Sequence, residues 1–160
     1  MMKRVEKVVQ RLLPEIAQKR VLEPACGCAE FSIAAAKYAK EVVCFDLDDR
    51  RLSPEATQTP RLRFERMDAT AMRFPDGSFD TVVLYNAVGH LAQIAEPVLR
   101  ECRRVLSAGG AIWIVSSFRM DKTVIQETVL PLLEQMGYAH EVQNDANFMY
   151  VRIAETEKNI

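Results

Sequence analysis

Residues 20–37 read RVLEPACGCAEFSIAAAK: an apolar run, a turn of small residues, then an alanine-rich segment. That order predicts a strand, a tight loop and a helix, the opening half of a βαβ unit. Small residues in such a loop let backbone come close to a ligand and let amides point at it. The same smallness serves any strand-to-helix corner, so the loop taken alone leaves both uses open. Cys26 and Cys28 flank the single Gly27, with Ala25 and Ala29 beyond them.

Outward from this stretch the alternation continues. Upstream, Val5, Val8, Val9, Leu12 and Leu13 follow helical spacing, and Pro14, which lacks an amide hydrogen, ends or restarts that helix. Downstream, strands are predicted over 41–48, 61–69, 79–87 and 109–118, and helices over 31–40, 93–106 and 121–137. Residues 50–60, RRLSPEATQTP, hold two prolines and leave room for only a truncated second helix. The tail reads as two strands, 138–145 and 147–155, joined by an Asn/Asp-rich turn and therefore antiparallel. The expected fold is α/β: a doubly wound, mostly parallel seven-stranded sheet, Rossmann-like, with a C-terminal antiparallel hairpin. A single domain is expected over 1–160, with an N-terminal helical segment 1–19, a core 20–118, and a C-terminal helix and hairpin 119–160.

Hydrophobic residues make up 49% and charged residues 27%, ordinary globular values. A formal net charge of -1 gives no electrostatic reason to expect nucleic acid or an anionic membrane as partner. No apolar run approaches the roughly 18 residues of a membrane span. The start, MMKRVEKVVQRLLPE, has no signal-peptide core, so the chain reads as cytoplasmic. Cys26, Cys28, Cys44 and Cys102 match no paired metal pattern, and only His90 and His140 could assist. The cysteines are read as buried, reduced thiols and no metal is expected.

In a doubly wound sheet, ligands bind beyond the carboxyl ends of the strands. After the first strand stand Glu23, Ala25, Gly27, Cys28 and Ala29. After the second stand Asp46, placed to accept ribose hydroxyls, and then Asp48 and Asp49, which suit solvation or capping. Asp68 and Ala69 follow the third, an acid and an amide that suit a purine edge; Tyr85, Asn86 and His90 follow the fourth. Carboxylates at three successive strand ends repel a pyrophosphate. A ligand with adenine, ribose and positive charge in place of phosphate suits them, and S-adenosylmethionine is such a ligand.

These residues resemble the class I S-adenosylmethionine-dependent methyltransferases, in particular the small-molecule branch of the methyltransferase type 11 kind. RVLEPACGCAEF is similar to the family's first motif, VVCFDLD to the second, and MDATAMRFPDGSFDTVVLYNAVGHL to the third and fourth. EPVLRECRRVLSAGG resembles the helix and turn that follow; the ordered match runs from Arg20 to Phe118. The resemblance implies methyl transfer, with the loop from Glu23 to Ala29 cradling the methionine end of the cofactor. It implies Glu23 on the ammonium, directly or through water, Asp46 on the ribose, Asp68 and the Ala69 amide on the adenine, and Leu47 and Met67 on either side of the ring. Asn86 is counted with the cofactor-binding set. The chain departs from the pattern at Glu23, where Asp is more frequent, at Ala25 and Ala29, where glycine is usual, and at Ala108, where proline is usual.

His90 and Tyr85 are the candidates to touch the acceptor or serve as base. With only residues 1–19 ahead of the first strand and a helix soon after Phe118, the acceptor site is read as open, completed by a second copy, or built for a large substrate. Other readings stand beside methyl transfer. One is a non-catalytic cofactor-binding or partner subunit, which the loop alanines favour. An adenine-specific DNA methyltransferase lacks support, since YNAVGH replaces the proline-bearing motif those enzymes need. A nicotinamide-dependent reductase lacks its G-x-G-x-x-G loop.

Overall fold

The computed structural model describes residues 2–155. At its centre β1 (Arg20–Pro24) lies between β2 (Glu41–Asp46) and β4 (Phe79–Tyr85), parallel to both. β3 (Leu62–Arg66) closes one edge, while β5 (Leu106–Ser117), β7 (Phe148–Ala154) and β6 (His140–Asn144) extend the other, giving the order β3-β2-β1-β4-β5-β7-β6. Only β7 runs against its neighbours, pairing antiparallel with β5 and β6. The doubly wound seven-stranded sheet and its C-terminal hairpin are as the sequence predicts.

Strand alternation divides the core into two layers. Leu22, Val43, Phe45, Val82, Leu84, Ile112 and Ile114 face a layer that includes Val98, Leu99, Cys102 and Val105 of α5 (Ala95–Val105). Val21, Val42, Val83, Trp113 and Val115 face the other layer. There they meet Val5, Val8 and Val9 of α1 (Arg4–Arg11), Ile16 of α2 (Leu13–Ile16), and Phe31, Ala34 and Ala35 of α3 (Glu30–Ala35). Pro14 restarts the N-terminal helix rather than ending it, occupying the first turn of α2, where its missing amide hydrogen costs nothing.

Several boundaries differ from the sequence reading. α3 stops at Ala35, not residue 40, because the chain must turn to enter β2: the amides of Tyr38 and Ala39 both return to the Ala35 carbonyl. β5 begins at Leu106 because Leu106 pairs with Phe79 ahead of a register shift. The helix expected at 121 starts at Phe118, capped by the Ser117 hydroxyl accepting from the Met120 amide. It runs from α6 (Phe118–Val124) through a π turn (Ile125–Val129) into α7 (Leu130–Met136). Pro131 cannot donate to a carbonyl four residues back, and the helix widens there. The truncated second helix is a 3-10 turn, Pro54–Gln58. No helix among the described residues is long and apolar enough to cross a membrane.

Two polar clusters fix the frame. Arg104 on α5 donates to the carbonyls of Met72 (2.9 Å) and Phe74 (2.8 Å), to Asp76 (2.9 Å), and to Glu101 (2.6 Å), so the Pro75-Asp76-Gly77 turn is tied to the helix. At the amino edge of the sheet, Asp80 accepts from the Arg20 amide (2.9 Å), the Arg20 guanidinium (3.0 Å) and the Ser107 hydroxyl (3.0 Å). The Arg20 contacts hold its carboxyl down at about 2.

The loop between β1 and α3 is left-handed at alternate residues: φ is +53° at Ala25, +56° at Gly27 and +67° at Ala29. Alanine in that conformation crowds its Cβ against the backbone. Ala25→Gly and Ala29→Gly are each expected to raise the unfolding free energy by about 0.5–1 kcal/mol, net of glycine's larger chain entropy. Urea denaturation checks this; a lower midpoint would show that lost Cβ packing outweighs the strain. For Asp80, the depressed value means its stabilisation is complete above pH ~4 and is lost as pH falls from about 4 to about 2. Asp80→Asn is expected to cost about 1–2 kcal/mol at neutral pH and to flatten the acid limb of the stability profile over that window.

Candidate functional site

The carboxyl ends of β1, β2 and β3 are drawn together by main chain and one carboxylate. Asp46 closes β2; its Oδ2 accepts from the Gly27 amide and its Oδ1 from the Leu47 amide, both at 2.8 Å. The Cys26 amide donates to the Phe45 carbonyl (3.0 Å) and the Met67 amide to the Asp46 carbonyl (2.9 Å). The small-residue loop and the segment after β3 are thus both fastened to the end of β2.

Beside this junction lies a cavity of about 280 Å³. Ala25, Asp46, Leu47, Met67, Asp68, Ala69 and His90 line it, together with Phe45, Arg51, Leu91 and Ile94. Met67 is buried and Leu47 is 71% exposed, so one apolar wall is fixed and the other is open to solvent. Asp68 accepts from the amide (2.8 Å) and hydroxyl (2.7 Å) of Thr70, which lowers its pKa and keeps it ionised.

The other predicted residues stand apart from this cavity. Glu23 is 1% exposed and lies beneath the loop, its Oε1 accepting from the Ser32 amide (3.1 Å) and hydroxyl (2.6 Å). Burial drives its carboxyl well above the ordinary range, against the opposing pull of Ser32. Gly27 lies under the Arg51 guanidinium and Ala29 is fully buried at the start of α3. Cys28 is exposed rather than buried, and borders a separate hollow of about 410 Å³ between α1, α3 and the 3-10 turn. All four cysteines are free thiols, three of them buried. No group of three or more metal-ligating side chains occurs among the described residues.

Asn86, left-handed at φ +50°, ties the ends of β4 and β5: its amide donates to Val115 (2.8 Å) and its Oδ1 accepts from the Ser117 amide (2.9 Å). Tyr85 faces the α1/α3 layer, its ring stacked on Phe31 at 5.7 Å, and burial raises its phenol far above the ordinary value. His90, in α4 (Val88–Leu91), is exposed at the cavity, so the two acceptor-side candidates are not brought together.

Sequence reasoning missed two features. Arg51, five residues after Asp46, lies within a charged run whose individual roles depend on the path of a shortened connection. Asp121 on α6 is 3% exposed and its Oδ2 has no hydrogen-bond partner; its Oδ1 lies 2.6 Å from where a Cβ on Gly89 would stand. Only glycine fits beside that carboxylate, next in sequence to His90.

A family model described as a methyltransferase domain matches residues 22–114. A Mycobacterium tuberculosis protein named as a probable S-adenosylmethionine-dependent methyltransferase is 30% identical over 118 residues, covering 74% of this chain and 43% of that protein. Ajmaline N-methyltransferase of Rauvolfia serpentina is 27% identical over 134 residues, covering 77% of this chain and 44% of that enzyme. The chain therefore spans less than half the length of these curated relatives. In fold, it matches a solved S-adenosylmethionine-dependent methyltransferase from Aquifex aeolicus with a TM-score of 0.78 at 14% identity, over 96% of this chain and 90% of that one. The matched span includes the end of β1, the loop, Asp46, Asp68 and β4, so the chain belongs to the methyltransferase-domain family, whose cofactor is S-adenosylmethionine.

Proposed function

We propose that this chain transfers a methyl group from S-adenosylmethionine to a small-molecule acceptor. The observation that carries the reading is the cavity at the strand ends, which gathers Asp46, Asp68, Leu47 and Met67 around one space. The donor set fits the group: a carboxylate at the end of β2 for ribose hydroxyls, an ionised acid and the Ala69 amide for a purine edge, and two apolar side chains for the ring. When bound, S-adenosylmethionine supplies a methyl on a positively charged sulfur, open to attack by a nucleophile in line with it.

The chain's own groups divide the work. Asp46 accepts from the ribose while bracing the Gly27 amide, and so couples occupancy to the shape of the loop. Glu23 acts from below, holding the start of α3 through Ser32. Asn86 and its ties to Val115 and Ser117 keep the ends of β4 and β5 level with the cofactor's methionine end. His90 lines the same cavity and is exposed, which supports its role here as the base that takes a proton from the acceptor. A non-catalytic cofactor-binding subunit is the second reading, favoured by the strain at Ala25 and Ala29.

Calorimetric titration tests the first step. Micromolar binding of S-adenosylmethionine and S-adenosylhomocysteine, with none of NAD, is the expected result; binding of neither sulfur compound would overturn the proposal. Asp46→Ala is expected to weaken S-adenosylhomocysteine binding by about 1–3 kcal/mol, the value of a lost charge-assisted hydrogen bond. With the cofactor bound, turnover against a panel of small amines and phenols separates enzyme from binding subunit. His90→Ala should then lower kcat more than it changes the cofactor Kd.

A further inference from the structure

The turn that follows β2 carries acids and arginines in close sequence, and their pairing is uneven. Arg50 is held by Asp48 at 2.8 Å and Arg66 by Asp49 at 3.1 Å. Arg51, between them in sequence, makes no ion pair or hydrogen bond to any described residue. Arg51 is an exposed residue, yet its guanidinium lies against the loop. Its Cζ, Nη2 and Nη1 lie 3.4, 3.4 and 3.6 Å from the position a Cβ would take on Gly27. Three nearly equal distances mean that the group turns its flat face to the side of Gly27 from which a Cβ would project, over the loop that the family resemblance sets at the methionine end of the cofactor.

Arg51 also lines the cavity that contains Asp46 and Asp68. A cation without a partner, set in a mostly apolar wall whose acids are Asp46 and Asp68, offers its hydrogen-bond fork to a ligand anion. A guanidinium matches a carboxylate in shape and can donate two parallel hydrogen bonds to it. S-adenosylmethionine carries one anion, the α-carboxylate of its methionine end. Asp46 and Asp68 suit hydroxyl and amino donors and repel that carboxylate.

We propose that Arg51 anchors the cofactor's α-carboxylate and so selects ligands that retain the amino-acid end. This assignment rests on the proposed function and adds to it a residue that discriminates among adenosine compounds. A Cβ on Gly27 would stand in ordinary contact with the guanidinium, so it is the left-handed φ of +56°, and not the space beneath Arg51, that favours glycine there.

The test compares two probes that share an adenosine. S-adenosylhomocysteine keeps the amino-acid end; 5′-methylthioadenosine lacks it. Titrations of wild type, Arg51→Gln and Arg51→Lys give a Kd for each. In Arg51→Gln, S-adenosylhomocysteine is expected to bind about tenfold more weakly or worse, while 5′-methylthioadenosine stays within about twofold of wild type. Arg51→Lys, which keeps the charge and loses the fork, should fall between. Retained 5′-methylthioadenosine binding also shows that the variant is folded. An unchanged or tightened S-adenosylhomocysteine Kd in Arg51→Gln, or equal weakening of both probes, would overturn the assignment and leave the proposed function standing. Failure of the wild type to bind S-adenosylhomocysteine would overturn both.

Discussion

Everything at the site depends on where the chain reverses around β1. From β1 it moves outward to β2 and β3, then returns across the sheet to β4 and β5. Parallel strands joined by crossovers of one hand bring their carboxyl ends to a single edge. Two neighbouring connections leave in opposite directions only at β1, and the space between them cannot be filled by either. The cavity lined by Ala25, Asp46 and Met67 sits beside that divide. No other pair of adjacent parallel strands in this sheet has such a gap between its connections.

Two acids at adjoining strand ends have been given different work by their surroundings. Glu23 and Asp46 are both carboxylates, on β1 and β2; Glu23 pairs with Cys44, two residues before Asp46. Glu23 points into the packed layer, where burial opposes its charge and Ser32 is its partner. Asp46 sits at the rim, half-buried, with two amides on its oxygens. One acid stiffens the corner from within; the other presents its remaining acceptor capacity to the cavity.

Much of this was legible in the residue pattern because strands with both faces covered read as apolar runs and their ends read as acids. The strand count, the hairpin, Asp46 and Asp68 follow from those two signals; Leu47 and Met67 come from the family resemblance, and His90 from its place just after the fourth strand. Tyr85 shows what finer use of alternation would have added: it shares a face with Val83, so its ring belongs with Phe31 and not with the cavity. Arg51 was harder to read. Its position is set by a connection too short for a regular helix, and nothing periodic in RRLSPEATQTP says which of two adjacent arginines lies against the loop. Asp121 is silent for a similar reason, since the close approach of its carboxylate to Gly89 joins two segments distant in sequence. The early end of α3 and early start of β5 came from pairing demands that local propensity does not carry.

The clamp made by Arg104 has a mechanical consequence. Met72 and Phe74, whose carbonyls it holds, pack in the same cluster as Met67 and Phe45. The wall of the cavity on that side therefore hangs from α5 and from the end of β2, near the middle of the molecule. β3, although it leads directly into that wall, is a half-exposed edge strand, paired only with β2. Sequence drift or fraying along β3 can proceed without deforming the chamber, so the outermost strand is the part of this half of the sheet most free to diverge between relatives.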